Sequence, residues 1–137
     1  MYQDINSPTR AEGGVLYVVA TPIGHMEDVS LRAFRILNTV DWVAAEDTRH
    51  TGLLLQRLGL KKSMLSYHDH NLLEREGQLL QLLKEGQSVA LVSDAGMPGI
   101  CDPGEILVAS CVAEGIPVQV IPGPSAFVTA LAASGLS

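Results

Sequence analysis

The sequence predicts an α/β domain: an open, mainly parallel five-stranded sheet with helices on both faces. Three observations carry this. Short apolar runs alternate with helix-length segments, which implies parallel pairing through right-handed crossovers. The strand-like runs are apolar without alternation, as strands covered on both faces are. And the stretch Val89–Gly104 turns abruptly from the run Val89–Val92 into a loop crowded with Asp94, Gly96, Pro98, Gly99, Asp102, Pro103 and Gly104. Such a density of backbone-permissive and backbone-locking residues continues neither a strand nor a helix. A plain β-to-α connection needs only about two to six residues. A longer, shaped loop at the carboxyl end of a buried strand is where open α/β sheets bind ligands.

Taken in order, Val15–Ala20 reads as the first buried strand, followed by the loop Thr21–His25. Asp28 or Ser30 is placed to cap a helix carrying Leu31, Phe34 and Leu37 on one face. Trp42–Ala45 reads as a short second strand, running into the polar cluster Glu46-Asp47-Thr48-Arg49-His50. A leucine-rich helix follows and stops near Gly59; Ser63–Tyr67 is a weaker third strand. Asn71, with Glu74 three residues on, has the spacing of a capping box and opens a helix that ends at Gly86. After the fourth strand a helix over Glu105–Glu114 ends at Gly115. Pro117–Ile121 makes the fifth strand, closed by Pro122–Ser125, with Ser125 capping a last helix from Ala126 to Ala133. In a parallel sheet the loops Thr21–His25, Asp94–Gly104 and Pro122–Ser125 share one edge, and a cleft there is the default site.

Composition narrows the function classes. A chain of 137 residues fits one domain with a real core, and 47% hydrophobic content argues against disorder. Residues 1–13 read as a disordered polar tail, with no apolar stretch that would make a signal peptide. No run of about 18 apolar residues exists, so no membrane span is expected. The net charge of −6 offers no general basic surface for a polyanion, so any grip on nucleic acid lies elsewhere. Cys101 and Cys111 have neither zinc-like nor redox-motif spacing and suit a reducing cytoplasm. The dinucleotide fingerprint, the phosphate loop and the nucleophile elbow are all absent. His68 and His70 are metal ligands in principle and surface loop residues on the plainer reading; no metal is expected, because further ligands cannot be placed. Glu46, Asp47 and Arg49 form the best acid–base or substrate-orienting cluster, and equally a solvated strand-to-helix turn with Thr48 as its cap. Composition and periodicity give an α/β ligand-binding domain and no reaction.

The runs LYVVATPIGHMEDVSLRAFRIL, AAEDTRHTGLLLQRLGL, SYHDHN, ALVSDAGMPGICDPG and IPGPSAFVTALAASGL, in that order, resemble one family. It is the bacterial 16S ribosomal RNA (cytidine-2′-O)-methyltransferase branch of the tetrapyrrole methylase (class III) enzymes, and the likeness covers nearly everything from Gly14 onward. The resemblance implies methyl transfer from S-adenosyl-L-methionine to a cytidine ribose 2′-hydroxyl in 16S rRNA of the small ribosomal subunit. It also implies a cytoplasmic homodimer that uses no metal. The family fold has two α/β domains with the cofactor between them. Residues 14–137 correspond to the N-terminal domain, with the second domain absent, so this piece alone is expected to be a truncated, inactive half.

Site residues follow from the same resemblance. Pro22, then Ala95, Gly96, Met97 and Ile100, then Ser125 and Ala126 match positions that contact the cofactor in relatives. Met97 stands where a polar residue is usual, so a backbone contact is expected to survive and a side-chain hydrogen bond to be absent. The first loop, Ala20–His25, lacks the glycine-rich pattern ending in an acid that marks the tetrapyrrole branch, which favours the RNA branch. Glu46 and Asp47 are candidates for the base or an orienting group, and Arg49 for a phosphate contact. Two other readings stand beside this one: a tetrapyrrole (precorrin-type) methyltransferase domain, and a non-catalytic binding or dimerisation module.

Overall fold

The computed structural model describes residues 9–21, 26–68, 70–92 and 104–123. Five strands, β1 (Leu16–Val19), β2 (Trp42–Ala45), β3 (Ser63–Ser66), β4 (Val89–Val92) and β5 (Val118–Ile121), form one sheet in the order β3-β2-β4-β1-β5. Every pairing is parallel. The apolar runs dictate the order of burial. β1 and β4 are buried at every position, whereas the edge strands β3 and β5 are partly open.

Among the described residues, four α-helices connect these strands: α1 (Leu31–Thr39), α2 (Thr48–Arg57), α3 (Leu72–Lys84) and α4 (Gly104–Ala113). From β1 to β2 to β3 the chain steps one way across the sheet, and from β3 to β4 to β5 it steps back. Right-handed crossovers then put α1 and α2 on one face and α3 and α4 on the other. The two cores agree. Ile36 and Leu37 of α1 and Leu55 of α2 pack with Tyr17, Val19, Val43 and Ala90. Leu79 and Leu83 of α3 and Leu107 and Cys111 of α4 pack with Leu16, Val18, Val89 and Leu91. Alternate strand residues therefore feed opposite cores, as the two-residue period of a strand requires.

At the amino edge of the sheet, β2 and β4 are clamped side by side. The Asp41 amide donates to Ser88 Oγ (3.0 Å), while the Ser88 amide and hydroxyl both donate to Asp41 Oδ2 (2.8 and 3.1 Å). Trp42 Nε1 donates to Gln87 Oε1 (2.6 Å). These bonds satisfy polar groups beside a buried strand and pin its register.

Several expectations need correction. Of the two candidate caps, Ser30 serves: its Oγ accepts from Ala33 N at 3.0 Å. The core face of α1 is Ala33, Ile36 and Leu37, continued by Val40. Leu31 is exposed and Phe34 only half-buried, so the expected Leu31–Phe34–Leu37 stripe is rotated. Asn71 precedes α3, but its side chain makes no cap bond. Ala11–Gly13 depart from the disordered tail expected through residue 13. Ala11 N donates to Thr39 Oγ1 and Glu12 N to Tyr17 Oη, both at 2.8 Å. The α4 helix starts at Gly104 and stops at Ala113, one residue earlier at each end than expected. The expected last helix, Ala126 to Ala133, lies outside the described residues.

Candidate functional site

All five strands point the same way, so their carboxyl ends meet along one edge. There the strand order marks the ligand position for a topological reason. The neighbours of β4 are β1 and β2, and both lead into helices on one face; β4 itself leads to α4 on the other. A strand whose following helix lies on the face opposite to its neighbours' helices marks the ligand position of open α/β sheets. Small residues line the described part of this edge. Ala20 and Thr21 are buried after β1, and Ala20 N donates to Ile121 O at 3.3 Å. A Cβ placed on Gly123 would lie 2.9 Å from Ala20 Cβ, so the exits of β1 and β5 approach as closely as glycine allows.

The polar cluster after β2 lies on the same edge. Asp47 has extended backbone angles (φ −120°, ψ 105°) and caps α2: its Oδ1 accepts from Arg49 N (2.9 Å) and His50 N (3.4 Å). The cap is Asp47, and Thr48 is the first helical residue. These two backbone donors, Arg49 N foremost, hold the Asp47 carboxyl below its ordinary range. Asp47 is therefore an anion fixed to a helix N-terminus and a weak proton acceptor. Arg49 Nε stands 3.9 Å from Asp47 Oδ1, yet its side chain is 94% exposed, so the pair is loose. Glu46 is exposed and makes no hydrogen bond or ion pair among the described residues. The three share the edge; only Asp47 and Arg49 are brought together.

A second polar group on this edge, after β3, was not evident in the sequence as a unit. Asn71 Oδ1 accepts from His68 N (3.0 Å), and Asn71 Nδ2 donates to Ser66 Oγ (3.0 Å). His70 N donates to His68 Nδ1 (3.1 Å), and Asn71 Nδ2 lies 3.3 Å from His68 Nε2. The His68 and His70 rings meet edge to face at 5.7 Å. Asn71 thus turns backward to shape the β3–α3 turn and forgoes the cap. Its signal was the short Ser66–Asn71 spacing, which suits a side-chain-closed turn as well as a capping box. Among the described residues no group of three or more His, Cys, Asp or Glu is gathered as metal ligands would be.

The cofactor positions drawn from the resemblance, Pro22, Ala95, Gly96, Met97, Ile100, Ser125 and Ala126, lie outside the described residues. They follow the carboxyl ends of β1, β4 and β5, which are consecutive in the sheet.

Comparison with known proteins agrees with this architecture. The family described as Tetrapyrrole (Corrin/Porphyrin) Methylases matches residues 15–137. Proteins named "Ribosomal RNA small subunit methyltransferase I" are similar over most of the chain. The one from Synechocystis is 55% identical over 124 residues, which is 90% of this chain and 44% of that protein. Those from Escherichia coli O157:H7 and Thermotoga maritima are 54% and 52% identical, covering 90% and 89% of this chain and 43% and 55% of theirs. The chain thus spans about half the length of the curated relatives it matches. A crystal structure of uroporphyrin-III-C-methyltransferase from Thermus thermophilus superposes with a TM-score of 0.68 at 29% identity, over 90% of this chain and 53% of that one.

Proposed function

Because the chain belongs to the tetrapyrrole (corrin/porphyrin) methylase family, we propose that it is the first α/β domain of a methyltransferase acting on RNA of the small ribosomal subunit. The reaction is transfer of a methyl group from S-adenosylmethionine to a cytidine ribose 2′-hydroxyl. The observation that carries this reading is the 55% identity to a protein named for ribosomal RNA methylation, against 29% to one named for uroporphyrin. The tetrapyrrole alternative rests on the weaker of the two likenesses.

The small residues of the carboxyl edge support a cofactor site there. Ala20, Thr21 and Gly123 present little side chain, and the helix after β4 lies on the face opposite to those after β1 and β2, the arrangement that marks the ligand position of open α/β sheets. Pro22, Ala95, Gly96, Met97, Ile100, Ser125 and Ala126 are proposed to hold it. When bound, S-adenosylmethionine supplies an activated methyl group. The protein's task is then to align the 2′-oxygen and help remove its proton. Glu46, exposed at the edge and uncommitted among the described residues, is proposed as the proton acceptor. Asp47, committed to the α2 backbone, is proposed as a positioning residue, and Arg49 as a contact to substrate phosphate. The rest of the cleft is proposed to lie in the part of such a protein that this chain does not span. A homodimer in the cytoplasm is the proposed assembly. Among the described residues no helix is long and apolar enough to cross a membrane.

The test is calorimetric titration of S-adenosylhomocysteine into this chain and into a version extended to the length of its relatives. Methyl incorporation into isolated small ribosomal subunits is measured in parallel. Binding to the longer chain, with incorporation that Glu46→Ala abolishes, is the expected result. Absence of binding in both would sink the methyltransferase reading. Normal turnover in both Glu46→Ala and Asp47→Ala would remove these residues from the mechanism.

A further inference from the structure

The net charge of −6 hides a division that the fold makes visible. Over residues 31–62, the α1 and α2 side, six Lys or Arg stand against three acids, Asp41, Glu46 and Asp47. Neither helix on that face contains an acid. Over residues 72–92 and 104–123, the α3 and α4 side, five Glu stand against only Arg75 and Lys84. Residues 9–30, which reach the α1 and α2 side through Ala11 and Val29, add Arg10 against Glu12, Glu27 and Asp28. The positive charge is therefore concentrated along α2 and the turn after it, while the α3 and α4 side is acidic.

The cations are arranged along α2. Arg49 at its start is exposed, Arg57 at its end is exposed, and Lys61 follows, also exposed. At about 1.5 Å per helical residue, Arg49 and Arg57 are about 12 Å apart along the axis. Asp47 caps α2 at the carboxyl edge, so this line begins at the candidate site and runs toward the opposite edge of the sheet. Where it ends, a groove of about 630 Å³ opens between α2 and β3. Leu55, Leu60 and Met64 supply its apolar lining, and Gln56, Lys61 and Lys62 its polar rim. Lys62 is steadied by donating to Asn38 O at 2.9 Å.

A row of cations beside an apolar recess matches a polyanion that carries flat apolar groups. Single-stranded nucleic acid is such a polymer, gripped by its phosphates while an unstacked base enters the recess. We infer that the α2 face, from Arg49 through Arg57 to the Lys61–Lys62 groove, docks single-stranded ribosomal RNA and leads it to the carboxyl edge. This rests on the reading of the substrate as ribosomal RNA. An acidic protein would satisfy the cations and leave the recess unused.

The test is fluorescence anisotropy of a labelled single-stranded RNA oligonucleotide with this chain, over a salt series. The variants are Arg57→Gln/Lys61→Gln and Gln56→Glu on the basic face, and Arg75→Gln/Lys84→Gln on the acidic face, which removes the same number of charges. None of the substituted basic-face side chains is buried, and thermal unfolding verifies that each variant folds. Arg57→Gln/Lys61→Gln is expected to bind roughly tenfold more weakly at low salt. Its slope of log K against log [salt] should be shallower by about 1.4, near 0.7 for each phosphate left without its cation. Gln56→Glu should weaken binding without removing a cation, and the acidic-face pair should match the parent. No RNA binding by the parent, or equal weakening in the two double variants, would overturn the inference. So would equally tight, equally sensitive binding of polyglutamate, which would assign the face to an acidic protein. S-adenosylhomocysteine titration of the version extended to the length of its relatives separates the two claims. Cofactor binding without RNA binding leaves the methyltransferase reading standing and removes the docking face. RNA binding that depends on Arg57 and Lys61, without cofactor binding, does the reverse.

Discussion

The same substitution, glycine to alanine, is expected to have opposite signs at two positions. Gly13 lies against the turn between α3 and β4, and a Cβ there would stand 2.2 Å from Gly86 O. Restoring even the closest ordinary contact, 3.4 Å, means opening that approach by about 1.2 Å. The chain has little room to move. Gly14 N donates to Gln87 O at 3.0 Å on one side, and Ala11 and Glu12 are tied to Thr39 and Tyr17 on the other. Overpacking of this kind costs roughly 1–3 kcal/mol, and stretching the Gly14–Gln87 bond adds up to about 1 kcal/mol. The stiffer unfolded chain returns about 0.4–1 kcal/mol. Gly13→Ala should therefore destabilise by about 1–3 kcal/mol. Gly77 sits inside α3 with nothing within 4 Å of its missing Cβ, so Gly77→Ala should stabilise by about 0.5–1 kcal/mol. For a domain of this size 1 kcal/mol is roughly 3–5 °C in Tm. Thermal unfolding followed by far-ultraviolet circular dichroism should show Gly13→Ala below the parent and Gly77→Ala above it. An unchanged or raised Tm for Gly13→Ala would refute the close approach, and a lowered Tm for Gly77→Ala would refute the open helix surface.

Other outcomes follow from single side chains. Thr51 is buried on α2, and its Oγ1 has no hydrogen-bond partner among the described residues. Thr51→Val keeps the shape and removes the orphan, so denaturant unfolding should show a gain of about 1 kcal/mol; a loss would mean the hydroxyl is bonded. At neutral pH, Asp47→Ala should lower Tm, whereas Asp47→Asn should recover part of the loss because it still accepts from the α2 amides. The Asp47 carboxyl is held below its ordinary value of 3.8 in the folded state. Its contribution is therefore present above that value and disappears as pH falls through the lower folded one, where parent and Asp47→Ala melting curves should converge. A constant Tm difference down to strongly acid pH would contradict the charged cap. Cys111 is buried, and burial, with Glu114 and Glu76 nearby, pushes its thiol up to about 11. In a Cys101→Ser background it should react with a disulfide reagent at mildly alkaline pH only at the rate of unfolding. Rapid labelling of the native protein would show it accessible.

What the sequence made legible was the local signal. The runs Val89–Val92 and Leu16–Val19 declared buried strands because nothing in them suits water on either face. Gly59, Gly86 and Gly115 marked turns by the left-handed conformation each adopts. The misses share a physical cause. Leu31, Phe34 and Leu37 fit a helical period, and so do Ala33, Ile36, Leu37 and Val40; only the docking of α1 on the sheet chooses between them. Asp47 and Thr48 are both good caps, and the choice depends on which residue first leaves the extended conformation of β2. Asn71 had two uses for one side chain, and the β3–α3 turn took it. At the site, the strand ends were predictable from parallel topology. The engagement of Asp47 and the exposure of Glu46 were not, because both depend on backbone direction over one or two residues.

The division of charge was illegible for a deeper reason. Net charge sums over the chain, whereas a surface sums over whichever helices share a face. Which helices do so is set by the direction of each crossover, and that follows from strand order. Had β4 been added outside β3, the chain would have kept stepping one way and right-handedness would have placed α3 beside α2. Glu74, Glu76 and Glu85 would then have bordered Arg49 and Arg57, and the two charges would have cancelled locally. The observed order, β3-β2-β4-β1-β5, instead reverses direction after β3. That one reversal marks the ligand position beside β4 and also segregates the cationic helices from the acidic ones. The proposed catalytic edge and the proposed RNA face are thus two consequences of the same turn in topology, and for that reason the basic line along α2 starts at the carboxyl edge.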